Sequence, residues 1–310
     1  MIDFLCGEII KFFSVKMRIG RFSKEGREFV GIIKGEEVFD LSNFFYLERK
    51  IQIKDINSLF ENGLFSPEVF KKSLIDGEKY RELWYPLEKL NFSILYRPSK
   101  IICIGANYIE HAKESNIIIP EEPIFFEKAT SAIIPNNGEI IYPEGLGRID
   151  PEVELAVVIG KKAKGVEKEK ADEFIAGYTI LNDVTARDIE MKDMEKKLPW
   201  YRSKSIDTFC PFGPWIVTSD EINPEEDLKI ELRVNGKIRQ KSSTGKMLFK
   251  IPFLISFISK FITLYPGDII STGTPEGISP IFPGDIVECE IEKIGILRNP
   301  VKKSINLSQK

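Results

Sequence analysis

The stretch that most constrains this chain is Asp150 to Gly160, Asp-Pro-Glu-Val-Glu-Leu-Ala-Val-Val-Ile-Gly. Val153, Leu155, Val157, Val158 and Ile159, closed by a glycine, have the composition of a buried β-strand. Side chains alternate faces along a strand, so Glu152 and Glu154 share one face, roughly 6.6 Å apart at their Cα atoms. Two like charges on one face of an apolar strand repel and lose hydration. A shared cation removes both penalties. A second apolar run, Phe174 to Leu181, leads into Asn182-Asp183. Glu152, Glu154 and Asp183 are therefore read as three oxygen ligands for one hard divalent metal. Alternation alone leaves open a second arrangement, with both glutamates on the solvent face of an edge strand and Asp183 capping a turn.

Composition narrows the chemistry. The 310 residues suffice for one large domain or two smaller ones with ample core. A net charge of −3, with both signs spread along the chain, gives no reason to expect nucleic acid or an anionic membrane as a partner. Cys6, Cys103, Cys210 and Cys289 are too scattered for a zinc site or a redox pair, which points to a reduced, cytoplasmic setting. His111 is the single histidine, so no multi-histidine zinc or iron site can be built within one chain. A metal here has to be held by carboxylates, which favours Mg²⁺, Mn²⁺ or Ca²⁺.

Asp3, Glu8 and Lys11 interrupt the apolar N-terminus and no cleavage site follows, so residues 1–16 are expected to be an extension ahead of Met17 rather than a signal peptide. The apolar stretch Phe249 to Tyr265 is broken by Pro252 and Lys260 and is too short to cross a bilayer. Residues 18–40 read as short strands with turns at 23–26 and 34–36, and 42–90 as helical. From Arg97-Pro98 onward short β-like segments dominate, separated by turns such as Asn137-Gly138, Asn235-Gly236 and Pro283-Gly284-Asp285, with helical patches at about 107–115 and 249–262. The expected architecture is mainly β (α+β), with a small N-terminal β-rich domain over 17–95, a larger domain over 96–303 and a tail over 304–310.

Three further clusters carry chemistry. On a helix His111 and Glu114, three residues apart, share a face, and a carboxylate beside an imidazole suits a general base that activates water. The same spacing on a surface helix would be incidental. Trp200-Tyr-Arg-Ser-Lys204 brings basic and aromatic groups together, so that Lys204 or Arg202 could hold an anionic group or a developing enolate; Arg187 could bind a carboxylate or pair with Asp188. Thr272, Gly273 and Thr274 end a strand in a turn whose hydroxyls and amides could cradle a carboxylate.

The order of these pieces is more specific than any one of them. It resembles the fumarylacetoacetate hydrolase superfamily, in particular its bacterial and archaeal 2-hydroxyhepta-2,4-diene-1,7-dioate isomerase and acylpyruvase-like members. The matching runs are Ile104 to Tyr108 with His111 and Glu114, Pro123 to Phe126, Asp150 to Gly160, Asn182 to Asp188, Lys204 to Phe209, Gly213 to Trp215, Thr272 to Pro275 and Pro283 to Asp285. The resemblance covers about 98–302.

It implies a mixed β-sandwich roll, a homodimer, and Mg²⁺, Mn²⁺ or Ca²⁺ on Glu152, Glu154 and Asp183. The implied substrate is a small 2-oxo acid cleaved by C–C hydrolysis through a metal-stabilised enolate. Isomerisation, tautomerisation or decarboxylation at the same site remain alternatives, and a non-catalytic metal and acid binder a remote one. The family's water-activating pair falls on His111 and Glu114, its catalytic lysine on Lys204 and its substrate-facing arginine on Arg187. Asn107, Tyr108 and Glu190 join Thr272, Gly273 and Thr274 as substrate-binding residues. Two departures, Ala106 where the family often has Arg and Glu190 where it often has Gln, make the implied pocket less positive.

Overall fold

The computed structural model describes residues 17–304. The proposed extension 1–16, with Cys6, and all of the tail beyond Ser304 lie outside them. Most strands belong to one twelve-stranded sheet. Its main path runs 84–86, 37–40, 27–34, 18–24, 210–218, 175–182, 153–159, 269–271, 101–105 and 124–128. A five-stranded sheet follows the order 237–243, 229–234, 286–291, 295–303 and 140–142. The mainly β architecture, with several sheets, is as expected.

Val153–Ile159 is an interior strand, antiparallel to Ile175–Asn182 on one side and to Ile269–Ser271 on the other. It is buried along its whole length, which is why its sequence is almost continuously apolar. Val153, Leu155, Val157 and Ile159 pack with Leu232, Val287 and Leu297 of the five-stranded sheet and with Leu254, Ile255 and Ile258 of the helix Ile251–Phe261. Ala156 and Val158, on the other face, join a second core with Phe45, Leu59 and Phe70 from the helices Leu41–Arg49, Ile56–Glu61 and Pro67–Gly77. Glu152 and Glu154 continue the line of Ala156 and Val158, on the face away from the five-stranded sheet.

Residues 17–95 and the rest of the chain share this second core. Arg18 and Ile19 also pair antiparallel with Val217 and Ile216, so the N-terminal strands extend the same sheet. No helix among the described residues is long and apolar enough to cross a membrane. Cys103, Cys210 and Cys289 are buried free thiols.

The sequence reading placed the main strands and both helical patches, the patches shortening to Ile109–Glu114 and Ile251–Phe261. It did not anticipate the strands Lys237–Ser243 and Gly295–Lys303 or the helix Arg187–Glu195. These segments are rich in charge, and their form is settled by pairing and packing rather than by apolar pattern.

Candidate active site

The ends of two neighbouring strands converge. Glu152 and Glu154 come from the start of the central strand and Asp183 from just beyond the neighbouring strand, with the Asp183 N–H donating to the Glu152 carbonyl oxygen at 2.8 Å. One carboxylate oxygen from each of the three lies within 4.8 Å of the others, and all three side chains are buried. They line a cavity of about 230 Å³ together with His111, Glu114, Arg187, Glu190, Lys204 and Thr274. Pairing on both sides excludes an edge strand, and the burial of Glu152 and Glu154 excludes a solvent face, so the alternative arrangement does not hold.

Every ligand carboxylate is held by protein donors. Ser271 Oγ and the Gly273 N–H donate to Glu154 Oε2, at 2.6 and 3.0 Å. Arg187 Nη2 donates to Glu152 Oε1. Lys204 Nζ bridges Glu152 Oε2 and Asp183 Oδ2, at 2.9 and 2.8 Å. Burial would raise the Glu152 carboxyl, but Lys204 and then Arg187 hold it well below the usual carboxylate range. Burial, followed by the charges of Asp183 and Glu152, pushes Glu154 up to about 8. The two glutamates are thus driven apart by their neighbours.

The donor set fits a divalent cation. Asp150, Glu152, Glu154, Asp183 and Glu190 are five buried carboxylates, facing the three buried cations Lys128, Arg187 and Lys204. The half-exposed Arg148 adds a fourth positive charge, 2.8 Å from Asp150. With all five carboxylates ionised, one to two negative charges are left over in a low-dielectric cavity, a charge a divalent cation would balance, and all the candidate ligand atoms are hard oxygens.

The surrounding residues reach the cavity by local geometry. Arg187 opens the helix Arg187–Glu195, and Glu190, one turn later on the same face, accepts from Arg187 Nη1. Lys204 ends the short helix Tyr201–Lys204, its ammonium 5.4 Å from the centre of the Phe126 ring, which stands edge-on to Trp200. Arg202 points elsewhere, pairing with Asp193 at 2.8 and 2.5 Å. His111 Nδ1 and Glu114 Oε2 lie 3.4 Å apart on the helix Ile109–Glu114. The Gly277 N–H reaches both Glu114 oxygens, at 3.1 and 3.2 Å. At Gly277 (φ +102°) an added Cβ would sit 2.1 Å from the Arg239 carbonyl oxygen, so this close approach requires glycine.

Four of the residues expected to bind substrate do not line the cavity. Asn107 Nδ2 donates to the carbonyls of Phe249 and Thr272, and its Oδ1 accepts from the Phe249 N–H. Thr272 Oγ1 donates to the Leu155 carbonyl, and Gly273 contributes its amide to Glu154 rather than to open space. Tyr108 borders a separate cavity with Lys246 and Glu276, and its buried hydroxyl has no partner among the described residues. Asn107, Thr272 and Gly273 build the wall behind the three clustered carboxylates. Asn107→Ala is accordingly expected to cost on the order of 3 kcal/mol of stability, measured by denaturant unfolding, while Mn²⁺ affinity changes little.

Sequence reasoning missed Lys128, Asp150 and Arg148. Lys128 is fully buried; its ammonium donates to Asp183 Oδ1 at 2.6 Å and to the Lys204 carbonyl oxygen. It lies two residues beyond Phe126, on the strand face that also carries Ile124, and a lysine ending that apolar line was the available signal. Asp150 receives Arg187 Nε and Arg148 Nε, both at 2.8 Å, and so fixes the guanidinium that holds Glu152.

A buried, oxygen-only carboxylate cluster beside a lysine and a histidine–glutamate pair, on a mainly β fold of several sheets, defines a class of small-molecule enzyme. The chain is an enzyme of the fumarylacetoacetate hydrolase family: the sequence profile of the fumarylacetoacetate (FAA) hydrolase C-terminal domain matches residues 100–302. It is 46% identical over 240 residues to the mitochondrial oxaloacetate tautomerase fahd2 of Xenopus laevis, covering 74% of this chain and 73% of that one. Among solved structures it resembles 5-carboxymethyl-2-hydroxymuconate delta-isomerase from Mycobacterium smegmatis, with TM-score 0.73, 35% identity and coverage of 94% and 100% of the two chains. It also resembles fumarylpyruvate hydrolase from Pseudomonas aeruginosa in complex with Mn²⁺ and pyruvate, with TM-score 0.64, 32% identity and coverage of 67% and 91%.

Proposed function

We propose that the chain hydrolyses a C–C bond in small 2-oxo acids of the acylpyruvate type, releasing a carboxylic acid and the enolate of the shorter 2-oxo acid. The observation that carries this reading is the shared cavity: three metal-type carboxylates and a histidine–glutamate pair line the same space. Glu152, Glu154 and Asp183 would hold Mg²⁺ or Mn²⁺, which when bound supplies Lewis-acid polarisation of a 2-oxo acid's oxygens. The Mn²⁺ and pyruvate in the Pseudomonas hydrolase support this assignment of metal and substrate class.

The remaining work falls to side chains. Burial would raise the Glu114 carboxyl, but the hydrogen bonds from His111 and the Gly277 N–H hold it below its usual range, so it stays charged opposite Nδ1. That charge favours the tautomer with a proton on Nδ1 and leaves Nε2 as the base. His111 takes a proton from water, and the oxygen adds to the carbonyl remote from the carboxylate. The C–C bond then breaks, its electron pair passing into the enolate, and a proton returns to carbon. Lys204 meets the developing negative charge; burial would lower its pKa, but Asp183 and Glu152 raise it well above normal and keep it an ammonium.

The Xenopus relative favours a second reading, keto–enol tautomerisation, in which His111 moves a proton between carbon and oxygen and no C–C bond breaks. Turnover of an acylpyruvate by the Mn²⁺-loaded protein, followed by enol absorbance and product analysis, separates the two. Release of pyruvate and a carboxylic acid is expected. His111→Gln should lower it about 10²- to 10⁴-fold with Mn²⁺ affinity unchanged. Enol–keto exchange without cleavage would select the tautomerase, and metal binding with no change in any 2-oxo acid would overturn both.

A further inference from the structure

Of the two arginines that line the cavity, Arg187 has each of its three nitrogens engaged by a carboxylate. Arg187 gives Nε to Asp150, Nη2 to Glu152 and Nη1 to Glu190, so its guanidinium is surrounded by three buried carboxylates. Lys204 is spent in the same way on Glu152 and Asp183, and lies 3.6 Å from Glu190. The remaining lining cation, Arg148, donates to Asp150 and to the Ile278 carbonyl oxygen, at 2.8 and 3.3 Å.

Asp150 anchors Arg187 and Arg148, and Glu152 belongs to the candidate ligand set, whereas Glu190 lines the cavity without belonging to either group. It projects from the helix that follows Asp183 and reaches the cavity, where among the described residues its one side-chain hydrogen-bond donor is Arg187 and its other cationic neighbour is Lys204. A substrate's second carboxylate would therefore compete with a carboxylate already in place, and the protein's own copy is tethered and desolvated. The wall carries Glu114, Glu152, Glu154, Asp183 and Glu190 against Arg148, Arg187 and Lys204, with His111 able to add a charge only on protonation. A divalent cation balances the permanent charges. A monocarboxylate then enters with one uncompensated negative charge and a dicarboxylate with two, a difference that a low-dielectric cavity magnifies.

We propose that Glu190 is a specificity-determining residue, occupying the position of a substrate carboxylate on Arg187 and Lys204 and so selecting 2-oxo acids whose remote end is uncharged. This rests on the proposed action on 2-oxo acids and names the substrate class more narrowly. The chemistry that fits is a 2,4-dioxo monocarboxylate with an alkyl or aryl tail, in contrast to an oxaloacetate-type dicarboxylate.

The test compares binding and turnover of 2,4-dioxopentanoate and oxaloacetate by the Mn²⁺-loaded protein, with Trp200 fluorescence at the cavity wall as the binding signal. Wild type should prefer the neutral-tailed acid. Glu190→Gln, which keeps the shape and removes the charge, should shift the ratio of kcat/KM toward oxaloacetate on the order of tenfold to a hundredfold. Glu190→Asp, which keeps the charge, should retain the wild-type preference. Equal handling of both acids by wild type, or a ratio unmoved in Glu190→Gln, overturns the role of Glu190 while leaving action on 2-oxo acids standing. Binding of neither acid overturns both. Mn²⁺ affinity in each variant shows whether a change in ratio comes from the substrate end of the cavity.

Discussion

Asp183→Ala is expected to empty the site of metal and to destabilise the protein by about 3–5 kcal/mol, the range for removing one partner of a buried ion pair. The size follows from what Asp183 holds. Its Oδ1 accepts from Lys128 at 2.6 Å and its Oδ2 from Lys204 at 2.8 Å, and both ammonium groups are buried. Without the carboxylate, Lys128 keeps only the carbonyls of Lys204 and Val184, and Lys204 keeps Glu152 and the more distant Glu190. Two desolvated cations then share one neighbourhood without the anion that joined them. Metal affinity should fall beyond the roughly 10- to 100-fold that loss of an outer partner costs, because a ligand itself has gone. Thermal unfolding with and without Mn²⁺ reads both effects. In wild type the ion raises the midpoint by mass action, and in the variant that rise should vanish. An Asp183→Ala protein that still takes up Mn²⁺ with wild-type affinity would remove Asp183 from the ligand set.

Lys204→Met should separate chemistry from metal binding. In the proposed reaction the lysine is the positive charge that meets the enolate, and loss of one such donor typically lowers turnover about 10²- to 10³-fold. The same ammonium occupies Glu152 Oε2 and Asp183 Oδ2, so it competes for oxygens that a cation would use. Its removal should leave Mn²⁺ affinity equal to or tighter than wild type. The metal-free variant should be less stable, since Glu152 and Asp183 lose a shared counter-ion, and the midpoint gained on adding Mn²⁺ should widen. Titration of Mn²⁺ followed by turnover on the same preparation checks both halves. Weaker metal binding together with lost turnover would assign Lys204 a structural part in the ligand cluster rather than a catalytic one.

Family membership leaves the reaction open because neighbours with the same fold carry different chemistries. A hydrolase, a delta-isomerase and a tautomerase are all similar to this chain. A base and a cation-binding carboxylate cluster serve each of those reactions. The proposed role of Glu190 places one such distinction at the far end of the substrate.

The amino-acid sequence by itself determined the central strand and the candidate carboxylate triad. Alternation puts Glu152 and Glu154 on one face whatever surrounds them, and a run as apolar as Val153 to Ile159 has to be buried. Helical spacing likewise paired His111 with Glu114, and a single histidine excluded the imidazole-rich metal sites. Only the tertiary structure decided which charges meet. Lys128 is 55 residues from Asp183 and Asp150 is 37 from Arg187, and no local periodicity joins them. Asn107 and Thr272 carried the right chemistry for a substrate site, yet their side chains are spent on the backbone of neighbouring segments. Buried polar groups must find partners, and where those partners lie depends on how distant strands and loops pack.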